Sequence, residues 1–479
     1  MLQFLSHRRR YLFRALIPIN SQIKNPNFYC TNQTLISSNI STNDTDNYQI
    51  KKNKKKERET LYSKISPLGN PKIKIAPVLD EWVQTGNKVR FAELLRIIHD
   101  LRKRSRFSQA LQVSEWMKRS GMFTYSTTEH AVQLDLIGRV HGYISAESYF
   151  NDLNELDKTE KTYGALLHCY VRQRQIDKSL THLQIMKEKG FNLSSVAYND
   201  IMVLFTKIGQ HDNVPDVLIQ MKENGVSPDN LSYRLCINSY GVRSDIGGIE
   251  KILHEMQCRL DINVDWNTYA VIANYYTKAG MKDEANNFLE RAEMTLDNKD
   301  TVGHNHLISL HANLGNKDQV FRLWDLEKRK FKKCINKDYI NMLKSVVRLD
   351  ELEAAEALLK EWESSDNCYD FRVPNTIVGG YITKGLYEKA EGMLRDLMDK
   401  GKANTPESWG RLSAGYLHKD EMDKAVECMK VALRFREHCK GWKPDPFVLT
   451  SLLNVIREKG SMEDVDVFTE CITNVIRDT

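Results

Sequence analysis

No run of 18 or more apolar residues occurs in this chain of 479 residues, so no segment offers a membrane-spanning helix. None of the nine cysteines (Cys30, Cys169, Cys236, Cys258, Cys334, Cys368, Cys428, Cys439 and Cys471) forms a C-x-x-C pair. None stands at a zinc-site spacing with histidine either. Scattered singly, they read as small apolar fillers in a reducing compartment. His304 and His306 are two apart on a helix and cannot face one ligand, so a metal site there is not expected. A Gly-rich phosphate loop, a nucleophile elbow and a convincing carboxylate pair are all missing. These absences point away from an enzyme, and no cofactor is expected.

Acidic residues are absent before Asp44, whereas Arg8, Arg9, Arg10, Arg14 and Lys24 stand among many Ser, Thr and Asn and among apolar Leu2, Phe4, Leu5, Leu12, Phe13 and Leu16. A basic, hydroxyl-rich, acid-poor and amphipathic start is the composition of an organellar transit peptide, and arginine favours the mitochondrion. Residues 1–30 are therefore expected to be a leader to the mitochondrial matrix, cleaved near Phe28-Tyr29-Cys30. A disordered tail is the alternative. Lys51, Lys52, Lys54, Lys55, Lys56 and Arg58 form a like-charge block inside an expected disordered basic linker, residues 31–75. Pro67, Gly69, Pro71 and Pro77 are expected to break the chain before the first helix. Residues 1–88 carry 15 Lys/Arg against 6 Asp/Glu, and the remainder 54 against 57. The net charge of +6 thus resides at the start, and the rest of the chain is not basic overall.

What the chain does have is a period. Tyr163, Tyr198, Tyr233, Tyr269 and Tyr339 fall in one register about 35 residues long, with His304, Pro374 and Trp409 in the slots between and beyond. Eleven residues after each slot stands a turn position: Gly209, Gly280, Gly315 and Gly385, with Arg174, Ser244, Asp350 and Asp420 in the other copies. Sixteen after each slot stands a small or apolar residue: Ser179, Val214, Ile249, Ala285, Val320, Ala355, Ala390 and Ala425. Such self-similarity marks a solenoid, in which no single unit buries its own apolar face. Residues 76–479 are expected to form it.

In the unit 195–229, Val196, Ile201, Leu204 and Phe205 make one helical stripe, and Val214, Val217, Leu218 and Met221 make a second. Gly209 ends the first helix, Asn224-Gly225 the second, and Ser227-Pro228-Asp229 forms the turn. Met186, Met221 and Met256 recur 35 apart. The Tyr column, flanked by apolar residues at helical spacing, reads as core between repeats rather than as a platform for stacked bases.

Tyr198-Asn199, Lys207 to Gly209 and Met221 to Asp229 closely match the pentatricopeptide repeat, as do Thr268-Tyr269, Lys278-Ala279-Gly280 and Asp283-Glu284-Ala285. The chain resembles that family over residues 89–479, in about eleven units. The tetratricopeptide repeat differs in its Trp, Gly and Tyr pattern, which is absent here. Leu61 to Met117 resembles the entry of a plant mitochondrial branch, and the resemblance is to the pure-repeat subclass, in which no editing or deaminase extension is expected after the last repeat. The resemblance implies an all-α, right-handed α-solenoid of about eleven helix-turn-helix repeats.

In the family the first helices line a concave surface, and two or three side chains per repeat read one base. One follows the Tyr slot and another closes the repeat. The resemblance thus pairs Gly164 with Ser194, Asn199 with Asp229, Arg234 with Asp265, and Ala270 with Asp300. It continues with Asn305 and Ile335, Ile340 and Asp370, Asn375 and Thr405, Gly410 and Asp445. Base reading is expected of Asn199, Asn305 and Asn375, with Asp229, Asp265, Asp300 and Thr405 as closing residues. Asn199 with Asp229 implies uridine, and Asn375 with Thr405 a pyrimidine. The other slots depart from the pattern: Arg234 is long, Ile340 lacks a donor or acceptor, and Gly164, Ala270 and Gly410 are too short to reach.

Arg172, Lys207, Lys278 and Arg348 lie nine residues after their slots, and Lys384 ten, where the family carries cations facing the RNA backbone. Attraction to a helix C-terminus accounts for them equally well. The denser Arg102-Lys103-Arg104 with Arg106, and Lys328-Arg329-Lys330 with Lys332-Lys333, read first as solvated faces.

The leading expectation is a non-catalytic single-stranded-RNA-binding solenoid acting in processing, stability or translation of organellar transcripts. The alternative is a structural component docked on the mitochondrial ribosome through rRNA, with its base-reading slots decayed.

Overall fold

The computed structural model of the protein describes residues 60–69, 73–297, 300–330, 333–402, 405–436 and 442–459, with short pieces as far as 473. The expected leader, the basic block from Lys51 to Arg58, Pro71 and Lys332 lie outside the described residues. Among those described, the regular structure is helical throughout, with 23 α-helices, one three-residue 3-10 turn and no strand.

The turn column explains why the helices come in pairs. Gly209, Gly280, Gly315 and Gly385 have φ between +73° and +85°, and Arg174, Ser244, Asp350 and Asp420 adopt the same region at +57° to +66°. A left-handed residue cannot continue a right-handed helix, so all eight units break at the same place. Helix Ser195–Lys207 is thereby separated from Asn213–Glu223, and Trp266–Lys278 from Lys282–Thr295.

The column sixteen residues after the slot stands near the start of the second helix of each pair. Ser179, Val214, Ile249, Ala285, Val320, Ala355, Ala390 and Ala425 are each 0% exposed. Each first helix packs on its own second helix and on the first helix of the next unit, and second helices pack on the first helix that follows. The first helices therefore form a continuous layer, and one core runs through the stack. Burial of a Leu, Ile or Val side chain contributes about 1.5–3 kcal/mol, distributed along this core rather than gathered at a centre.

The Tyr column belongs to that core: Tyr163, Tyr198, Tyr233, Tyr339, His304 and Trp409 are buried. Tyr233 donates to Glu255 at 2.7 Å and Tyr339 to Glu361 at 3.0 Å, which ties each first helix to its own second helix. Met186, Met221 and Met256 are buried as well.

Three sequence expectations change. Val196, grouped with the apolar stripe of its helix, is 54% exposed, whereas Ile201, Leu204 and Phe205 are buried together with Ala197, Tyr198, Asn199 and Met202. Pro77 does not precede the first helix; it lies in the opening turn of Ala76–Gln84, where its missing N–H has no intrahelical partner to lose. A capped helix, Leu61–Ile65, already occurs inside the stretch expected to be linker, with Leu61 and Ile65 buried. Arg106 donates to Ser66 O at 2.6 Å and fastens this entry to the array.

Candidate nucleic-acid interface

The first-helix layer carries the residues expected to read bases, and the structure brings three of the expected pairs together. Asn199 Nδ2 donates to Asp229 at 3.1 and 3.2 Å across two consecutive units. Asp229 also caps helix Asn230–Val242 by accepting from Ser232 N at 2.8 Å, and it accepts from Ser195 Oγ at 2.8 Å. Ser232 Oγ in turn donates to Asn199 Oδ1 at 2.7 Å. Burial works against the charge of Asp229, but the bonds from Ser232, Ser195 and Asn199 prevail and hold its carboxyl below the usual range. The amide of Asn199 is fixed in one orientation, its NH2 toward Asp229.

Asn375 Nδ2 donates to Thr405 Oγ1 at 3.1 Å in the same manner. Arg234, long for its slot, is folded back onto Asp265 at 3.0 Å, and Asp265 caps its helix through Thr268 N at 2.8 Å. Asp300 caps helix Thr301–Leu314, accepting from Gly303 N at 3.0 Å, and its expected partner Ala270 is fully buried.

Asn305 departs from its expected pairing. Ile335 offers it nothing, and its Nδ2 donates instead to Glu327 Oε1 at 3.0 Å, to Asp338 Oδ1 at 2.9 Å and to Thr301 O at 3.0 Å. Asn305 Oδ1 and Glu327 Oε2 are buried without a hydrogen-bond partner. Burial first and Asp338 second push the Glu327 carboxyl up to about 7, against the bond from Asn305 that lowers it. Sequence reasoning missed both acids. The signal was present, since Asp338 lies 33 residues after Asn305, as Ser232 does after Asn199.

The expected backbone contacts are mostly engaged within the protein. Arg172, with Arg102 and Arg139, converges on Asp135 at 2.6, 3.2 and 3.0 Å. Burial raises the Asp135 carboxyl, but Arg139, Arg172 and Arg102 together hold it below its usual range. The sequence hint was a lone acid inside the apolar run Leu134 to Ile137. Lys384 pairs with Asp350 at 2.6 Å, Arg348 donates to Asn313, and Lys278 lies over the Tyr275 ring at 5.1 Å. Lys207 ends its helix. The denser patches are likewise tied down: Lys328 reaches Glu361 at 3.4 Å, and Lys333 reaches Asp366 O at 2.8 Å.

A second surface column, not anticipated from sequence, stands two residues before the Tyr slot. Val196, Leu231 and Val302 are 54, 40 and 49% exposed on the first-helix layer. Exposed apolar groups at repeat spacing beside fixed amides offer flat surfaces to a planar ligand. Among the described residues no group of three or more His, Cys, Asp or Glu could hold a metal ion, and no helix is long and apolar enough to cross a membrane.

The model of the pentatricopeptide repeat domain matches residues 181–243, and that of the PPR repeat matches 161–191 and 373–401. The chain is 52% identical to pentatricopeptide repeat-containing protein At4g21705, mitochondrial, of Arabidopsis thaliana, over 88% of this chain and 85% of that one. It is 35% identical to At2g20710, mitochondrial, of the same plant, over 85% and 82%. Among solved structures it is similar to the pentatricopeptide repeat protein PPR10 from maize, with a TM-score of 0.55 at 17% identity, covering 84% of this chain and 61% of that one. PPR10 in complex with an 18-nt psaJ RNA element gives 0.51 at 17% identity, covering 87% and 69%. These last two likenesses concern the fold, and the chain spans less than two thirds of the first.

Proposed function

Since this chain belongs to the pentatricopeptide repeat family, we propose that it is a non-catalytic protein that binds single-stranded RNA in the mitochondrial matrix and acts in transcript processing, stability or translation. The observation that carries this reading is the Asn199–Asp229 pair between successive first helices: the amide donates to Asp229 and accepts from Ser232, while Ser195 Oγ and Ser232 N hold the carboxylate. A fixed amide beside the exposed Val196 and Leu231 has what a base edge and a base face each require. Asn375 repeats one part of the arrangement, donating to its closing residue Thr405. A segment held along this layer would be withheld from nucleases and from its own secondary structure. The mitochondrial names of At4g21705 and At2g20710 and the composition of residues 1–30 support the location.

The test is selection from a random RNA pool by the full chain at about 150 mM salt, which suppresses sequence-blind phosphate binding. An enriched motif is expected, with uridine facing Asn199 and Asp229, and Asn199→Ala should relax the preference at that base alone. A pool that emerges unenriched would overturn sequence-specific reading.

The second reading, a component docked on the mitochondrial ribosome, is favoured by one observation: Asn305 is locked by two acids and Arg234 by Asp265, which leaves few slots open. It calls for co-sedimentation with ribosomal particles and salt-sensitive, sequence-blind RNA affinity.

A further inference from the structure

Cations at a nucleic-acid surface attract phosphate only with charge left over after their own partners are counted. One groove keeps a surplus by that count. It runs across helices Asn336–Arg348, Arg372–Thr383 and Pro406–His418, encloses about 690 Å³, and contains the Asn375–Thr405 pair in its wall. Lys344, Arg348, Arg372, Lys384 and Arg411 line it, against Glu407. Arg372 is neutralised by Asp370 at 2.6 Å and Lys384 by Asp350 at 2.6 Å, so these five cations face three acids in all. Lys344 and Arg411 are exposed, and neither has an ion-pair or hydrogen-bond partner among the described residues, whereas Arg348 keeps its charge but is held by the neutral amide of Asn313.

Their placement is equally specific. Arg411 reaches toward the bare backbone of the preceding first helix: a Cβ built on Gly379 would stand 3.5 Å from Arg411 Nη1. Lys344 approaches from the helix on the other side, five residues after its Tyr slot, where the other units carry His168, Val203, Asn238, Asn274, Ser309, Gly379 and Ala414. Arg411 stands two residues after its slot, and the other units have no Lys or Arg there. Neither cation thus belongs to the column from which backbone contacts were expected.

We propose that Lys344 and Arg411, on either side of Asn375, are the principal phosphate contacts of the bound RNA, so that the strand is anchored in this groove rather than evenly along the array. The inference rests on the RNA-binding reading above. Two unpaired cations flanking an oriented amide can hold the backbone on both sides of one nucleotide while its base meets Asn375 and Thr405. The long-range attraction and the local reading then act at the same unit.

The test is a salt titration of the full chain with a labelled oligouridylate about twelve nucleotides long and with a random strand of the same length. Each single-strand phosphate contact contributes about 0.7 to the slope of log affinity against log salt. The double variant Lys344→Ala, Arg411→Ala should lose about 1.4 from that slope and bind about tenfold more weakly at about 150 mM salt on both strands. Lys251→Ala, which removes an exposed lysine on the second helix Ile246–Gln257, outside the groove, should change affinity by less than about twofold. The exchange Lys344→Arg, Arg411→Lys should keep the parent slope, which separates loss of charge from loss of fold. A double alanine variant that binds with the parent's slope, while the parent binds RNA, would overturn the anchor and leave the RNA-binding reading standing. A parent that binds neither strand would overturn both.

Discussion

Glu327 and Asp338 accept hydrogen bonds from one and the same amide, Asn305 Nδ2, at 3.0 and 2.9 Å. They approach from different units: Glu327 closes the second helix of one pair, and Asp338 opens the first helix of the next. The cluster has more acceptors than donors, and a proton on Glu327 supplies the missing one.

This proton sets a pH dependence. The Glu327 carboxyl titrates near 7 in the folded chain and near 4.5 when unfolded, so the unfolded state binds fewer protons between those values. Stability is therefore greatest below about 4.5 with respect to this group, falls as pH rises through about 7, and levels off above. The difference corresponds to on the order of 3 kcal/mol. Urea midpoints followed from pH 5 to 8 should fall more steeply for the parent than for Glu327→Gln, and parallel curves would refute the shared-proton account.

Asp135 should behave in the opposite sense. Its carboxyl is held below the usual range by Arg139, Arg172 and Arg102, so its contribution is present at neutral pH and is lost as pH falls through the depressed value. Asp135→Asn leaves three arginines facing one another and should cost about 3 kcal/mol. Hydrogen exchange should register this as faster opening of helices Phe91–Lys103, Thr127–Val140 and Glu160–Arg172, with the distant repeats unchanged.

Asp229→Ala removes a helix cap and orphans the amide of Asn199 at once. A cap contributes about 1 kcal/mol and a buried donor left unpaired about 1–3 kcal/mol more. Thermal melting should show a loss larger than that of Asp300→Ala, whose carboxylate caps a helix but orients no slot.

Ser244, at φ +58°, occupies the left-handed turn that Gly209 fills at +77°. Ser244→Gly should stabilise the chain by up to about 1 kcal/mol, and Gly209→Ala should destabilise it by about the same. Equal melting temperatures for the two variants would show that the turn column is not conformationally restricted.

The two periodic columns were legible in the sequence because they depend on single positions. A left-handed turn and a fully buried position each need one residue type at one spacing, and all eight copies of each behave alike. The pairs were only partly legible. Asn199 meets Asp229 as the repeat pattern implies, but Asn305 meets Asp338 and Glu327, because two acceptors in reach outcompete an aliphatic Ile335. Arg172 was legible as a cation and not as one engaged by an acid, since its fate depends on Asp135, 37 residues earlier on another helix. Position alone also failed at Val196, where the helical stripe is narrower than its apolar content.

The column from Ser179 to Ala425 has a further consequence. Each of its residues is fully buried near the start of a second helix, so added bulk there has to be taken up by a shift of the helices packed on it. An alanine at one such position and an isoleucine at another are therefore two different gear teeth, and nothing further along the stack corrects an error made at either. A methyl group too many at Ala355 would be felt chiefly as a displaced heading for every unit beyond it.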